Sequence, residues 1–323
     1  MRRLTHAEAT RLREVPGATA VLFLTDRCPV GCAHCSVGSL PRSPTIGDWP
    51  LFGRLVAGLA ALPSLRAVAV TGGEPFAERR GLRRAVGELE DAGKAVVVFT
   101  SGSWARQVVP AWVREVLAGV GTVYLSTDTF HAARPGMGGA AFGRAADAVL
   151  AAGCRLVVQV LAEPGAGAGV GADVRERWPD AEVSVVRPVR AGRGAGAFPA
   201  AGAYRPLDAY GPCGLLTAPT VRYDGVVTAC CDEAVIMGAG PAPLRARVRD
   251  GAGLAAALDG FRADPVLRLM GGVGPVGLAG VVREEQRSVC GACWSGARRA
   301  AADPAARAAL ERRAAFTEAV SGP

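Results

Sequence analysis

Cys28, Cys32 and Cys35 stand at spacings of four and three residues. Three thiolates so spaced can wrap one face of a cube-shaped iron–sulfur cluster and leave its fourth iron without a protein ligand, open to a substrate. The alternatives are a zinc site, which normally asks for four ligands, and incidental thiols. Further along, Cys213 is followed by eleven residues, Gly225, four residues and Cys230. Asp224-Gly225 predicts a hairpin turn that folds both thiols to one side. Cys290-Gly-Ala-Cys293 is a tight pair able to take two corners of one metal site. These four thiols suit a second iron–sulfur cluster or a structural zinc. A thioredoxin-like redox pair fits less well, because Cys290 and Cys293 open no βαβ unit. Cys231 reads as an alternative ligand, a thiol facing the substrate or a buried small residue, and the glycine spacing favours Cys230 as the ligand. Cys154, which opens a strand pattern, reads as core.

The elements that must position these residues follow from the apolar pattern. Short β-branched segments at Ala18–Thr25, Ala67–Thr71, Ala95–Thr100, Thr122–Thr127, Arg155–Leu161 and Glu182–Val189 predict strands. Between them Asp48–Leu62, Glu78–Ala92, Arg106–Ala118 and Ala140–Ala152 are long enough for crossover helices. The alternation predicts an α/β fold with parallel strands and helices outside, its active-site loops at the carboxyl ends of the strands. Past Val189 the Gly/Ala/Pro-rich stretch Ala191–Ala203 marks a boundary. The region beyond it holds a hairpin over Val221–Thr228, weak helical patterns over Leu244–Leu258 and a terminal helix over Asp303–Val320, capped by Asp303-Pro304.

The chain has 323 residues, 37 Lys+Arg against 29 Asp+Glu for a net charge of +8, and 50% hydrophobic residues. That composition allows a substantial core and excludes a disordered chain. Lys94 is the single lysine, so the charge is almost all arginine and reads as coding bias; nucleic-acid binding is not indicated. No run approaches the ~20 apolar residues that span a bilayer, and Met-Arg-Arg-Leu-Thr-His-Ala-Glu lacks a secretory h-region. The expected location is the cytoplasm, where free thiols serve as metal ligands rather than as a disulfide framework.

CxxxCxxC in the loop after the first strand, followed one β/α unit later by Thr71-Gly72-Gly73-Glu74-Pro75, resembles the radical S-adenosylmethionine (SAM) superfamily. The resemblance implies a partial (β/α)6 TIM-like barrel over residues 18–195, after an N-terminal segment, 1–17. It implies that Cys28, Cys32 and Cys35 hold a [4Fe–4S] cluster whose open iron is chelated by SAM, and that one electron cleaves SAM to a 5′-deoxyadenosyl radical. By the same resemblance Gly72, Gly73, Glu74 and Pro75 position the methionyl amino group, and His34, before the third cysteine, lies near the adenine. Ser101 and Ser126 could bond the SAM carboxylate or ribose, or cap helices. Arg187-Pro-Val-Arg190-Ala-Gly192-Arg193 looks like the Pro-x-Gly-Arg segment of members with an extra cluster domain. Arg190 is placed with the cofactor, and the three arginines could attract a carboxylate or phosphate or equally form a solvated charge cluster.

Cys213, Cys230, Cys290 and Cys293 resemble the ligand set of a twitch domain, the truncated relative of the SPASM domain. This implies a small twitch-like iron–sulfur domain over 196–300 with one auxiliary [4Fe–4S] cluster, then a C-terminal helix in 301–323. Asp128 and His131, after the fourth strand, could take the proton that follows hydrogen abstraction. The expected activity is oxidation (dehydrogenation) or rearrangement of a small molecule in specialised metabolism, with a reductant such as flavodoxin or ferredoxin. The alternatives are a maturase that crosslinks or epimerises a ribosomally made peptide and a non-enzymatic iron–sulfur or zinc scaffold.

Overall fold

Val-rich segments of five to seven residues bury both faces most readily as parallel strands covered by helices. Six of them do so in succession: β1 (Thr19–Phe23), β2 (Ala67–Thr71), β3 (Ala95–Thr100), β4 (Thr122–Thr127), β5 (Arg155–Leu161) and β6 (Glu182–Val186). The computed structural model describes residues 2–127, 138–162, 168–198 and 202–321. Each strand pairs in parallel with the next, from Thr19 opposite Ala67 to Val157 opposite Glu182. Helices Trp49–Ala61, Arg79–Asp91, Ala111–Leu117, Gly139–Ala151 and Ala168–Arg177 make the crossovers.

Strand alternation divides the side chains. Leu22, Val68, Val70, Val98, Leu125 and Val158 are buried in the core that also holds Leu55, Leu59, Leu82 and Val113 of the helices. Val21, Ala69, Phe99, Tyr124, Gln159 and Ser184 line a cavity instead, and Phe23 borders both.

Four strands occupy the expected ranges, while β1 and β6 end early, at Phe23 and Val186. After Phe23 the chain turns toward the segment at 44–45, where Asp26 N–H donates to Pro44 O at 3.1 Å and Thr25 Oγ1 bonds Thr45 Oγ1 at 2.9 Å. The expected helix Arg106–Ala118 is shorter, Ala111–Leu117, because Pro110 cannot sit inside a helix and stands at its N-cap.

In the second region β7 (Arg205–Pro206) pairs with β11 (Glu285–Gln286), while β8 (Thr220–Arg222), β9 (Val226–Thr228) and β10 (Arg245–Arg247) extend the main sheet. Its order is β10-β9-β8-β1-β2-β3-β4-β5-β6. The predicted hairpin is β8–β9, with Gly225 at φ 84° in its turn. β8 runs parallel to β1, Phe23 opposite Arg222. Helix was expected from Leu244. Arg245–Arg247 pairs with Thr228–Val226 as a strand instead, and the helix begins at Gly251, capped by Asp250; a ready sheet edge outweighs weak helix propensity.

Two terminal helices complete the chain. His6–Arg13 starts in a Thr5/Glu8 capping box, and Pro304–Ser321 starts with Asp303 accepting from Ala305 N–H at 2.9 Å. Among the described residues no helix is long and apolar enough to cross a membrane.

A buried ion pair fastens β8 to β1. Arg222 donates to both carboxylate oxygens of Asp26, at 3.1 and 3.0 Å, and Tyr223 O–H donates to Asp26 at 2.7 Å. The two charged side chains are only 8% and 10% exposed. Removing one partner strands the other charge out of water. Arg222→Ala is expected to destabilise the chain by about 3–5 kcal/mol in urea unfolding; a loss below about 1 kcal/mol, the scale of a surface pair, would contradict this account.

Candidate active site

The cysteine-bearing loop leaves β1 and returns beside itself, where Arg27 bridges Leu40 and Cys28 N–H donates to Leu40 O at 3.1 Å. Cys28 and Cys32 are buried together with Val30, and Cys35 packs against them. Burial, then the nearby Glu74 carboxylate, pushes the Cys28 thiol up to about 11. A cluster bound there must displace thiol protons, so iron binding releases protons.

Gly72 and Gly73 permit this arrangement. A Cβ on Gly72, whose φ is +147°, would stand 2.4 Å from Thr25 O; one on Gly73 would stand 2.4 Å from Arg27 O. Instead Gly73 N–H donates to Thr25 O at 2.6 Å and Glu74 N–H to Arg27 O at 2.8 Å. The glycines were expected to bring backbone close to a ligand. What they first admit is the backbone that carries the cysteines.

Glu74, 1% exposed, joins β2 to β3. It accepts from Phe76 N–H at 3.2 Å, Thr100 O–H at 2.7 Å, Ser101 N–H at 2.9 Å and the Ser101 hydroxyl. Those four donors match the roughly four lone-pair sites of a carboxylate. Pro75 begins the 3-10 turn Pro75–Ala77, with Glu74 as its N-cap.

Arg193 closes the loop from the far edge of the barrel. Its guanidinium donates to Cys32 O at 2.9 Å, Gly38 O at 2.8 Å and Ser39 O at 2.9 Å, and its backbone N–H to Cys35 O at 3.0 Å. Gly192, at φ +53°, lets the chain in, since a Cβ there would lie 2.5 Å from Ser36 O. Sequence reasoning put Arg193 at the rim as an anion attractor; its donors are turned onto the cysteine loop. Arg190 donates to Ala195 O at 2.8 Å and Phe198 O at 3.0 Å, bracing the turn after β6. His34 packs edge-on to Phe198, centroids 6.4 Å apart.

Below this loop lies a cavity of about 880 Å³, large for a ligand site. At its upper end Cys28, Cys32, Cys35, His34, Gly72, Gly73, Ser101 and Ser126 line it, joined by Arg187. Glu74, Pro75 and Arg190 do not. Asp128 and His131 lie outside the described residues. It is also lined by residues sequence reasoning did not select: Gln159 and Ser184, level with Ser126 across the sheet, and His6 and Tyr124 toward the lower end. His6 Nδ1 and Tyr124 O–H are 2.9 Å apart, and His6 N–H donates to Glu182 at 3.0 Å. The inward register of the β4 alternation could have pointed to Tyr124; nothing local pointed to His6, which the N-terminal helix brings from outside the barrel.

The second group of cysteines gathers past the lower end. Cys230 and Cys293 are buried in one apolar cluster with Val235, Leu244 and Met270, and Cys213 packs on it. Cys290 and Cys293 share a face of the helix Val289–Ala302 near its N-terminus, where the helix dipole favours anionic sulfur. Burial raises all four thiols, and the Asp232 carboxylate raises each further. Cys290 Sγ donates to Asp232 Oδ2 at 3.4 Å. Among the described residues no three Cys, His, Asp or Glu converge tightly enough for a single metal ion. The thiols lie near enough to raise one another, and four thiolates are the donor set of an iron–sulfur cluster. Cys231 turns away into the cavity, with Arg13 at 3.7 Å. Cys154 is core, bonded to Leu117 O at 3.3 Å.

The chain has the fold of radical SAM enzymes. Streptococcus suis SuiB bound to precursor peptide SuiA is similar over 88% of this chain and 78% of that one, with TM-score 0.54 and 14% identity. Native anSMEcpe with bound AdoMet is similar over 76% and 80%, with TM-score 0.52 and 12% identity. In sequence, YydG of Bacillus subtilis (strain 168), named for peptide biosynthesis, is 25% identical over 117 residues, 35% of this chain and 37% of that protein's length. No family model matches the chain.

Two predictions follow from the loop and its thiols. Arg193→Ala should loosen the Cys28–Cys35 loop and lower the iron that anaerobic reconstitution loads relative to the parent chain; unchanged iron content would refute the clamp. In iron-free protein the folded Cys28 and Cys231 thiols titrate near 11 rather than at the ordinary 9.0, burial being the main cause. The unfolded chain therefore binds fewer protons across that interval, and stability is present below pH 9 and lost as pH rises through about 11. Urea midpoints that stay level over that range would contradict it.

Proposed function

We propose that this chain is a radical SAM enzyme whose substrate is a ribosomally made peptide. The observation that carries the reading is the convergence of the three thiols Cys28, Cys32 and Cys35 with Gly72, Gly73 and Ser101 over one cavity. A [4Fe–4S] cluster with SAM would supply there a one-electron cleavage and an adenosyl radical that takes hydrogen from carbon. The chain's own residues do the rest. The backbone at Gly72–Gly73 and the hydroxyls of Ser101 and Ser126 present polar atoms for SAM, and the His34 ring supplies a flat wall for its adenine. Asp128 and His131 are the proposed proton acceptors. Residues 18–195 would form the catalytic barrel and 196–300 the twitch-like domain, with Cys213, Cys230, Cys290 and Cys293 holding an auxiliary cluster. A flavodoxin or ferredoxin would deliver the electron.

The peptide reading is supported by the likeness to YydG, a protein named for peptide biosynthesis. A second reading, dehydrogenation or rearrangement of a small molecule, is favoured by the cavity wall, where Gln159, Ser184 and the His6–Tyr124 pair offer hydrogen bonds to a compact polar substrate.

Anaerobic reconstitution should load about eight irons and, with SAM and dithionite, release 5′-deoxyadenosine. Cys28/Cys32/Cys35→Ala should keep about four irons and release none. Two zincs and no cleavage would defeat the enzyme reading. A peptide encoded beside the gene should accelerate cleavage and change mass; acceleration by an aminocyclitol or sugar alcohol instead would favour the second reading.

A further inference from the structure

Asp232 touches two sites at once. It lines the barrel cavity, and its Oδ2 lies 3.4 Å from the thiol of Cys290. Its other oxygen is pinned, accepting from Val235 N–H at 3.1 Å as the N-cap of the turn Glu233–Ile236. The carboxylate therefore cannot swing freely, and its negative charge is fixed beside sulfur. Cys213, Cys230, Cys290 and Cys293 are absent from the cavity wall, so Asp232 stands between that wall and the thiols.

The potential of an iron–sulfur cluster depends on local charge and on hydrogen bonds to its sulfurs, and residues that touch the ligands are the usual source of both. We propose that Asp232 is the positioning residue that sets the reduction potential of the auxiliary cluster, holding it low through a fixed negative charge at Cys290. This rests on the reading of Cys213, Cys230, Cys290 and Cys293 as that cluster's ligands. Because Asp232 also lines the cavity, a substrate group that hydrogen-bonds to it would act on the same sulfur.

The test uses the full chain with Cys28/Cys32/Cys35→Ala, so that one cluster is present, reconstituted and titrated by electron paramagnetic resonance. Asp232→Asn keeps a good N-cap while removing the charge, and should favour reduction about tenfold, a rise of about 59 mV for a one-electron couple. Asp232→Glu retains the charge and should leave the potential near that of the parent. Equal potentials in all three proteins, each with about four irons, would overturn the proposal. So would iron loss confined to Asp232→Asn, which would make Asp232 a ligand. A parent chain that holds no cluster at all would instead overturn the ligand reading beneath it.

Discussion

Two glycines pressed against two carbonyls hold the upper site together. Gly72 and Gly73 bring the end of β2 onto Thr25 O and Arg27 O, closer than any side chain would allow. Because that contact fixes the exit of β1, it also fixes where the chain carrying Cys28 begins. Glu74 then ties β2 to β3 through Thr100 and Ser101, and Arg193 reaches across from the sixth strand to hold the loop by its carbonyls. A thiol loop without regular structure is thus held from several sides by backbone hydrogen bonds, which suits a site whose ligands must keep their spacing.

β1 is central in a second sense. Its other edge carries β8, so the strand that leads to the first cysteines also supports the hairpin that leads to Cys230. The two thiol groups lie toward opposite ends of that strand, and a five-residue strand spans roughly 17 Å. The cavity occupies the space between. Asp26 and Arg222 lock the shared register with a bidentate pair from which water is almost excluded. A shift of either strand would break that pair and leave a buried charge.

Much of this was legible in one dimension. Short β-branched apolar runs between helical patterns located β2, β3, β4 and β5 to the residue, because buried parallel strands leave little freedom in composition. The Cys28, Cys32, Cys35 spacing and the Gly72-Gly73 pair pointed to residues that the fold brings to one cavity, since they are local patterns whose chemistry is local. What failed was long-range. Arg193 looked like a surface cation until the fold laid it on a loop more than 150 residues earlier in the chain. His6 had no visible partner, and Asp232 was one acid among many.

The sequence by itself determined the alternation of strands and helices, the cysteine loop, the hairpin at Gly225 and the core role of Cys154. Each follows from backbone sterics, hydrophobic period or ligand spacing over a few residues. Only the tertiary structure decided that β8 joins the barrel sheet, that Arg193 clamps the loop and that His6 meets Tyr124 in the cavity. It also decided that Asp232 lies between cavity and thiols. Those are contacts between residues 58 to 199 positions apart, on separate elements. Their partners are set by how whole elements pack, which no short window of sequence contains.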